Sequence, residues 1–127
     1  MIDGFIKAAA ATPEIRVADT DYNAGKIIDL IHEAAKSGVK ICVFPELCLT
    51  GYTCSDLFLQ TTLIDGAMEA LRRVIRETRD VEMLCALGLP VRAGGKLYNC
   101  AAVICSGKLL GLVPKTYLPN YGEFYEQ

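Results

Sequence analysis

Hydrophobic residues recur along the chain with two periods, and these periods divide it into helices and strands. Apolar side chains at 24, 27, 28, 31, 34 and 35 follow the i, i+3, i+4 spacing of an amphipathic helix. Asp19, Thr20 and Asp21 can cap its start, and Gly38 suits its end. The same spacing between Ile64 and Ile75 predicts a second amphipathic helix over about residues 62–79.

Short apolar runs flank the two predicted helices, and we expect them to be strands. Prolines follow three of these runs and should end them, because proline cannot continue a hydrogen-bonded ladder. The three runs are residues 5–11, 39–44 and 83–89, and the alanines of the first also permit a helix. Two further strands, 97–105 and 109–113, flank the turn Ser106-Gly107-Lys108. The order β-α-β-α-β-β-β predicts an α/β fold with helices packed on one face of a sheet.

Composition and charge narrow the class of protein. A chain of 127 residues can bury a real core, and its net charge of −2 gives no basic footprint for nucleic acid. No apolar run reaches the length of about 18 residues that a membrane span requires, and the N-terminus lacks a basic leader. We therefore expect a cytoplasmic protein that binds neither nucleic acid nor membrane.

The six cysteines are interpreted as reduced, structural thiols. Several lie inside apolar runs, where a free cysteine behaves as a small hydrophobic residue. No Cys-x-x-Cys pair is present, so we expect no zinc or other metal site. The six are Cys42, Cys48, Cys54, Cys85, Cys100 and Cys105.

Two charged residues of opposite sign follow predicted strands directly after a proline. Glu46 comes after Pro45 and Lys115 after Pro114, and strand ends are where α/β folds place reactive groups. We expect the carboxylate of Glu46, between apolar neighbours, to be buried and suited to proton transfer. Lys115 could stabilise an oxyanion. Taken singly, each is more often an ordinary surface residue.

The remaining candidates are weaker. Glu123 and Glu126 lie among aromatic residues near the C-terminus, which suits a small polar substrate but equally an acidic turn. His32 is the single histidine, and we expect it to be structural or solvated. The chain has no Gly-x-x-x-x-Gly-Lys-[Ser/Thr] loop, so we do not expect it to bind ATP phosphates in that manner.

Two motifs carry a family resemblance. The run Val43–Tyr52 resembles the glutamate motif of the nitrilase, or carbon–nitrogen hydrolase, superfamily, and Leu112–Pro119 resembles its lysine motif. Three further segments look like the glutaminase domain of glutamine-dependent NAD synthetases, namely Gly4–Ala10, Asp56–Gln60 and Tyr117–Glu126. The resemblance implies a nitrilase-like α-β-β-α sandwich, of which this chain is approximately the first half.

The resemblance also implies roles for individual residues. Enzymes of that family hydrolyse L-glutamine through a glutamate, a lysine and a cysteine. Glu46 would then be the general base and Lys115 the group that stabilises the tetrahedral intermediate. Glu123 would help to orient the catalytic residues. The substrate would contact residues of one pocket, namely Tyr121, Tyr52 and Glu126.

One departure from the family pattern limits these expectations. The nucleophilic cysteine of the family lies well beyond the lysine motif, and no cysteine follows Lys115 here. We therefore expect residues 1–127 to be a partial glutaminase domain, inactive alone and without a cofactor of its own. Its partners would be the synthetase domain of the same polypeptide, which uses ATP and Mg, and further copies in a homo-oligomer. The alternatives are part of another nitrilase-superfamily amidase, or a non-catalytic module that associates with itself.

Overall fold

The computed structural model describes residues 4–51 and 61–115, which alternate between strands and helices as the sequence predicts. The boundaries differ from the predicted ones by a few residues, and the first two strands are only three residues long. In chain order the elements are β1 (Ala8–Ala10), α1 (Thr20–Lys36), β2 (Ile41–Val43), α2 (Thr61–Glu77), β3 (Leu84–Ala93), β4 (Lys96–Cys105) and β5 (Lys108–Pro114).

The described strands form one five-stranded sheet in the order β1-β2-β3-β4-β5. The strands β1, β2 and β3 are parallel to one another, because a helix connects each to the next and lets the chain re-enter the sheet in the same direction. Short glycine turns join β3 to β4 and β4 to β5, and these pairs are antiparallel. Two reversals of direction make β5 parallel to β2. The carboxyl ends of β2 and β5 therefore lie at the same edge of the sheet.

The core lies between the two helices and one face of the sheet. The apolar stripes of α1 and α2 contribute residues such as Ile27, Ile31 and Leu71, all at most 1% exposed. Alternate residues of the strands meet them, since successive side chains of a strand point to opposite faces. On the other face Val43 is 49% and Leu84 36% exposed. The predicted packing of helices on one face is confirmed.

The prediction that Pro90 ends the third strand is wrong, because β3 continues through it to Ala93. Pro90 pairs with Asn99, whose carbonyl oxygen points to β5 and accepts from Lys115 N at 2.9 Å. Pro90 and Asn99 therefore form a pair without hydrogen bonds between them, and the nitrogen of Pro90 points away from β4. Within the described residues β2 pairs with β3 only as far as Ala86. The absence of an N–H group at Pro90 therefore removes no hydrogen bond between the described strands.

The helix ends and thiols agree with the sequence. Asp19 caps α1 by accepting a hydrogen bond from Tyr22 N at 3.1 Å, and Gly38 follows its C-terminus with a φ of 80°. All five cysteines of the described segments are free thiols, and Cys54 lies outside those segments. Neither helix of the described chain combines the length and apolar character needed to cross a membrane.

Candidate active site

Glu46 and Lys115 meet at the edge of the sheet where β2 and β5 end. Lys115 Nζ lies 3.0 Å from Glu46 Oε1, a direct ion pair between residues 69 positions apart. The backbone fixes both residues: Phe44 N donates to Ala86 O at 2.9 Å, and Lys115 N donates to Asn99 O at 2.9 Å. The prediction that the two strand ends meet is confirmed.

The prediction that Glu46 is buried is wrong in this structure. Its side chain is 44% exposed, whereas that of Lys115 is 26% exposed. Glu46 begins a turn beyond the end of β2, where the apolar neighbours Phe44 and Leu47 are themselves buried, at 6% and 2% exposure. The intervening carboxylate is thereby directed outward. Apolar neighbours in sequence do not cover it.

An open groove of about 260 Å³ lies beside the ion pair. Its floor is the sheet face that the helices leave uncovered, and Glu46 and Lys115 supply its charge. A small polar molecule fits a groove with an apolar floor and charges at one place. The lining residues are Val43, Phe44, Pro45, Glu46, Ala86, Leu87, Gly88, Asn99, Cys100, Ala101, Val113, Pro114 and Lys115.

A tight turn holds the backbone directly after Glu46. Leu47 has a φ of 52°, which is uncommon for a residue other than glycine. Its carbonyl oxygen accepts hydrogen bonds from Thr50 N at 3.1 Å and Gly51 N at 2.7 Å. The turn is also tied to the segment before α1, because Ala18 N donates to Thr50 O at 2.7 Å. The strained residue lies next to the candidate base, where such conformations are often found.

Asn23 in α1 supports the same turn and was missed by the sequence analysis. It is fully buried, and its amide donates to Leu49 O at 3.0 Å and to Arg16 O at 2.8 Å. Its Oδ1 accepts from Arg16 N at 2.8 Å. The available signal was a polar residue beside Ala24 at the edge of the apolar stripe. Such a residue must find partners when it is buried.

The thiol of Cys48 is 2% exposed and bonded to the backbone of β3. Gly88 N donates to Cys48 Sγ at 3.3 Å, and the thiol reaches Gly88 O at 3.7 Å. Burial raises the pKa of Cys48 from 9.0 to about 11, although hydrogen bonds from the backbone oppose the shift. Since the thiolate is the reactive form, Cys48 has the properties of a structural thiol.

The other four predicted site residues lie outside the described residues, namely Tyr52, Tyr121, Glu123 and Glu126. His32 Nε2 lies 3.1 Å from Glu77 O at the end of α2, away from the groove, in agreement with a structural role. Across residues 4–51 and 61–115, no three His, Cys, Asp or Glu side chains are grouped so as to hold a metal ion.

Comparison with known proteins gives a family match over almost the whole chain. A family model described as carbon–nitrogen hydrolase matches residues 7–127. The glutamine-dependent NAD(+) synthetase of Mycobacterium bovis is 40% identical over 124 residues, which are 98% of this chain and 18% of that protein. The corresponding protein of Aquifex aeolicus is 39% identical over 110 residues, 87% of this chain and 19% of its own length. The chain thus spans about a fifth of these relatives.

Solved structures show the same fold. A glutamine-dependent NAD(+) synthetase from Cytophaga hutchinsonii superimposes with a TM-score of 0.86 and 35% identity, over 94% of this chain and 20% of that one. An amidase of the nitrilase superfamily from Nesterenkonia, in a cysteine-to-alanine variant, gives a TM-score of 0.77 and 25% identity. That match covers 95% of this chain and 46% of the amidase. The predicted α/β, nitrilase-like fold is confirmed.

Proposed function

Because the chain belongs to the carbon–nitrogen hydrolase family, we propose that it forms part of the glutaminase domain of a glutamine-dependent NAD synthetase. The observation that carries the proposal is the 3.0 Å contact between Lys115 and Glu46 at one edge of the sheet. A carboxylate and an ammonium group beside an open groove supply two of the functions that amide hydrolysis needs. The substrate proposed for the groove is L-glutamine.

The chemistry assigns a different task to each charge. An amide carbon is a poor electrophile, so hydrolysis proceeds by attack of a cysteine thiol and formation of a thioester with loss of ammonia. Glu46 takes the thiol proton and delivers it to the leaving nitrogen, after which water cleaves the thioester. The ammonium group of Lys115 carries three N–H donors and can bind both Glu46 and the oxyanion of the tetrahedral intermediate.

The nucleophilic cysteine is proposed to come from another part of the protein. Cys48 is the cysteine nearest to Glu46 in sequence, but its thiol is buried, and burial raises its pKa to about 11, whereas reactive cysteines have lowered pKa values. Tyr52, Tyr121 and Glu126 remain candidates for contact with glutamine, and Glu123 for orientation of the catalytic groups. The 127-residue chain alone is accordingly expected to release no ammonia from glutamine.

The rest of the reaction is assigned to the longer polypeptide. The curated relatives are about five times as long as this chain and carry the name of the complete synthetase. We propose that the ammonia passes to a synthetase domain of the same polypeptide, which uses ATP and Mg to amidate nicotinic acid adenine dinucleotide. A homo-oligomeric assembly and a cytoplasmic location stay predictions from the sequence.

The test measures glutamine-dependent NAD formation and ammonia release by the product of the complete gene. Glu46→Gln and Lys115→Met should each lower kcat for glutamine at least about 100-fold, the usual effect of losing a general base or an oxyanion donor. With free ammonia as nitrogen source, NAD formation should be retained. Glu33→Gln and Lys36→Met, on the exposed surface of α1, are matched controls and should be unchanged. Wild-type glutaminase activity in Glu46→Gln would refute the proposal.

A second candidate is hydrolysis of a simple aliphatic amide. It is favoured by the TM-score of 0.77 to the Nesterenkonia amidase, which shares the fold over 95% of this chain. A substrate panel separates the two, because an amidase hydrolyses propionamide faster than glutamine and makes no NAD. The same Glu46→Gln substitution should abolish either activity.

A further inference from the structure

We propose that Gly88, in the middle of β3, is a positioning residue that sets the location of Glu46 for proton transfer. The inference rests on the proposed role of Glu46 as general base. It assigns a catalytic consequence to a residue that has no functional group and does not act on the substrate itself. Three features of the structure support it: the direction of the peptide groups of β3, the space at Gly88, and the thiol of Cys48.

The peptide groups of Gly88 fasten the turn that follows Glu46. Residues 84, 86 and 88 of β3 point their N–H and C=O groups toward β2, as the bonds to Lys40, Phe44 and the turn show. At Gly88 the strand β2 has already ended, so the turn supplies the partners instead. Leu49 N donates to Gly88 O at 3.1 Å, and Gly88 N donates to Cys48 Sγ at 3.3 Å. Two consecutive residues of the turn, Cys48 and Leu49, are thereby bonded to Gly88 of β3.

The missing side chain of Gly88 leaves room for the backbone of the candidate base. A Cβ atom built on Gly88 would overlap the amide nitrogen of Leu47. It would also lie 2.9 Å from the carbonyl carbon and 3.0 Å from Cα of Glu46. All three atoms belong to the backbone, so rotation of a side chain cannot relieve the contact. Any larger residue at 88 must push the Glu46–Leu47 peptide away from the sheet.

The thiol of Cys48 completes the attachment by acting as a donor and an acceptor at once. It accepts from Gly88 N and lies 3.7 Å from Gly88 O, an arrangement that requires the proton to stay on sulfur. Burial keeps it there, since the pKa of Cys48 is raised to about 11. Cys48 is therefore a second positioning residue, which acts through Gly88 and the turn.

The test compares Gly88→Ala with Gly111→Ala in the complete enzyme. Gly111 lies in β5 with no atom within 4 Å of a built Cβ, so it is a control for the loss of a strand glycine. Gly88→Ala should lower kcat about 100-fold with KM within twofold, because displacement of a catalytic group by about 1 Å has such an effect. Gly111→Ala should resemble wild type in both kcat and KM.

Substitutions at Cys48 keep the test decisive if Gly88→Ala does not fold. Cys48→Ala should lower kcat about 3- to 10-fold, because both weak hydrogen bonds of the thiol to Gly88 are lost, and Cys48→Ser should recover most of it. Wild-type kcat in Cys48→Ala would overturn the proposal, as would a folded Gly88→Ala that equals Gly111→Ala. Complete loss of activity in Cys48→Ser would also overturn it, because it would make the thiol the nucleophile. If Glu46→Gln keeps full activity, the proposed function fails instead.

Discussion

The buried thiol of Cys48 predicts that the protein loses stability at alkaline pH by a measurable, residue-specific amount. In the unfolded chain a cysteine ionises around its ordinary pKa of 9.0, whereas in the folded protein burial raises the pKa of Cys48 to about 11. Between these values the unfolded state binds fewer protons than the folded state. The free energy of unfolding must therefore fall as the pH rises through this interval.

The size of the effect follows from the two pKa values. At pH 8 the thiol is largely protonated in both states and contributes little to the pH dependence. At pH 10 the unfolded state is stabilised by ionisation and the folded state is not, so the contribution of Cys48 falls by about 1 kcal/mol. Serine does not ionise in this range and can form similar hydrogen bonds. The stability of Cys48→Ser relative to wild type should therefore rise by about 1 kcal/mol between pH 8 and pH 10.

The assay is urea unfolding followed by far-UV circular dichroism at pH 8, 9 and 10, with a reductant present. Cys85, whose pKa burial raises to about 12, is common to both proteins, so its contribution cancels in the difference. Equal m values in the two proteins would show that the substitution has not altered the unfolded state. A stability difference that stays constant from pH 8 to pH 10 would refute the reasoning. It would mean that the Cys48 thiol ionises equally readily in both states.

Four further substitutions test which residues support the fold. Asn23→Ala should lower the free energy of unfolding by about 3 kcal/mol in urea titrations, because the three hydrogen bonds of this fully buried side chain are lost. The exposed control Asp29→Ala should change it by less than about 0.5 kcal/mol. Gly94→Ala should lower the thermal midpoint through its φ of 57° alone, and Gly107→Ala should lower it further, since its Cβ would also lie 2.8 Å from Arg79 Cβ. Arg73→Met removes the ion pairs to α1 and within α2, and should cost about 1 kcal/mol in low salt and less in 1 M NaCl.

The sequence predicted the parts of the fold that depend on local periodicity and on turn residues. The stripes of α1 and α2 are regular enough to identify two helices, and the glycine turns identify two hairpins. These elements imply the directions of the strands, because a helical crossover keeps the direction and a hairpin reverses it. From those directions alone, residues that follow β2 and β5 must lie at one edge. The meeting of Glu46 and Lys115 was predictable for that reason.

The features that the sequence did not predict depend on which atoms lie across a tertiary contact. Pro90 looked like a stop signal, but its tolerance depends on which side of β3 its nitrogen points to. The exposure of Glu46 depends on the direction of a turn, which its apolar neighbours do not determine. Gly88 lies within an apolar run, where a glycine can indicate a close approach but does not identify the approaching backbone. Each of these three features depends on the strand register or on the direction of a turn. A few neighbouring residues in the sequence determine neither.

The position of Pro90 also bears on association between molecules. Beyond Gly88 the side of β3 that faces away from β4 lies past the end of β2 within the described chain. A strand with unpaired N–H groups at such a place can recruit a strand from another molecule and begin aggregation. At Pro90 there is no N–H to offer, so a strand added along this side of β3 would lack one hydrogen bond. Pro90, which β3 accommodates without losing a hydrogen bond, thus makes this part of the strand a poor template for intermolecular sheets.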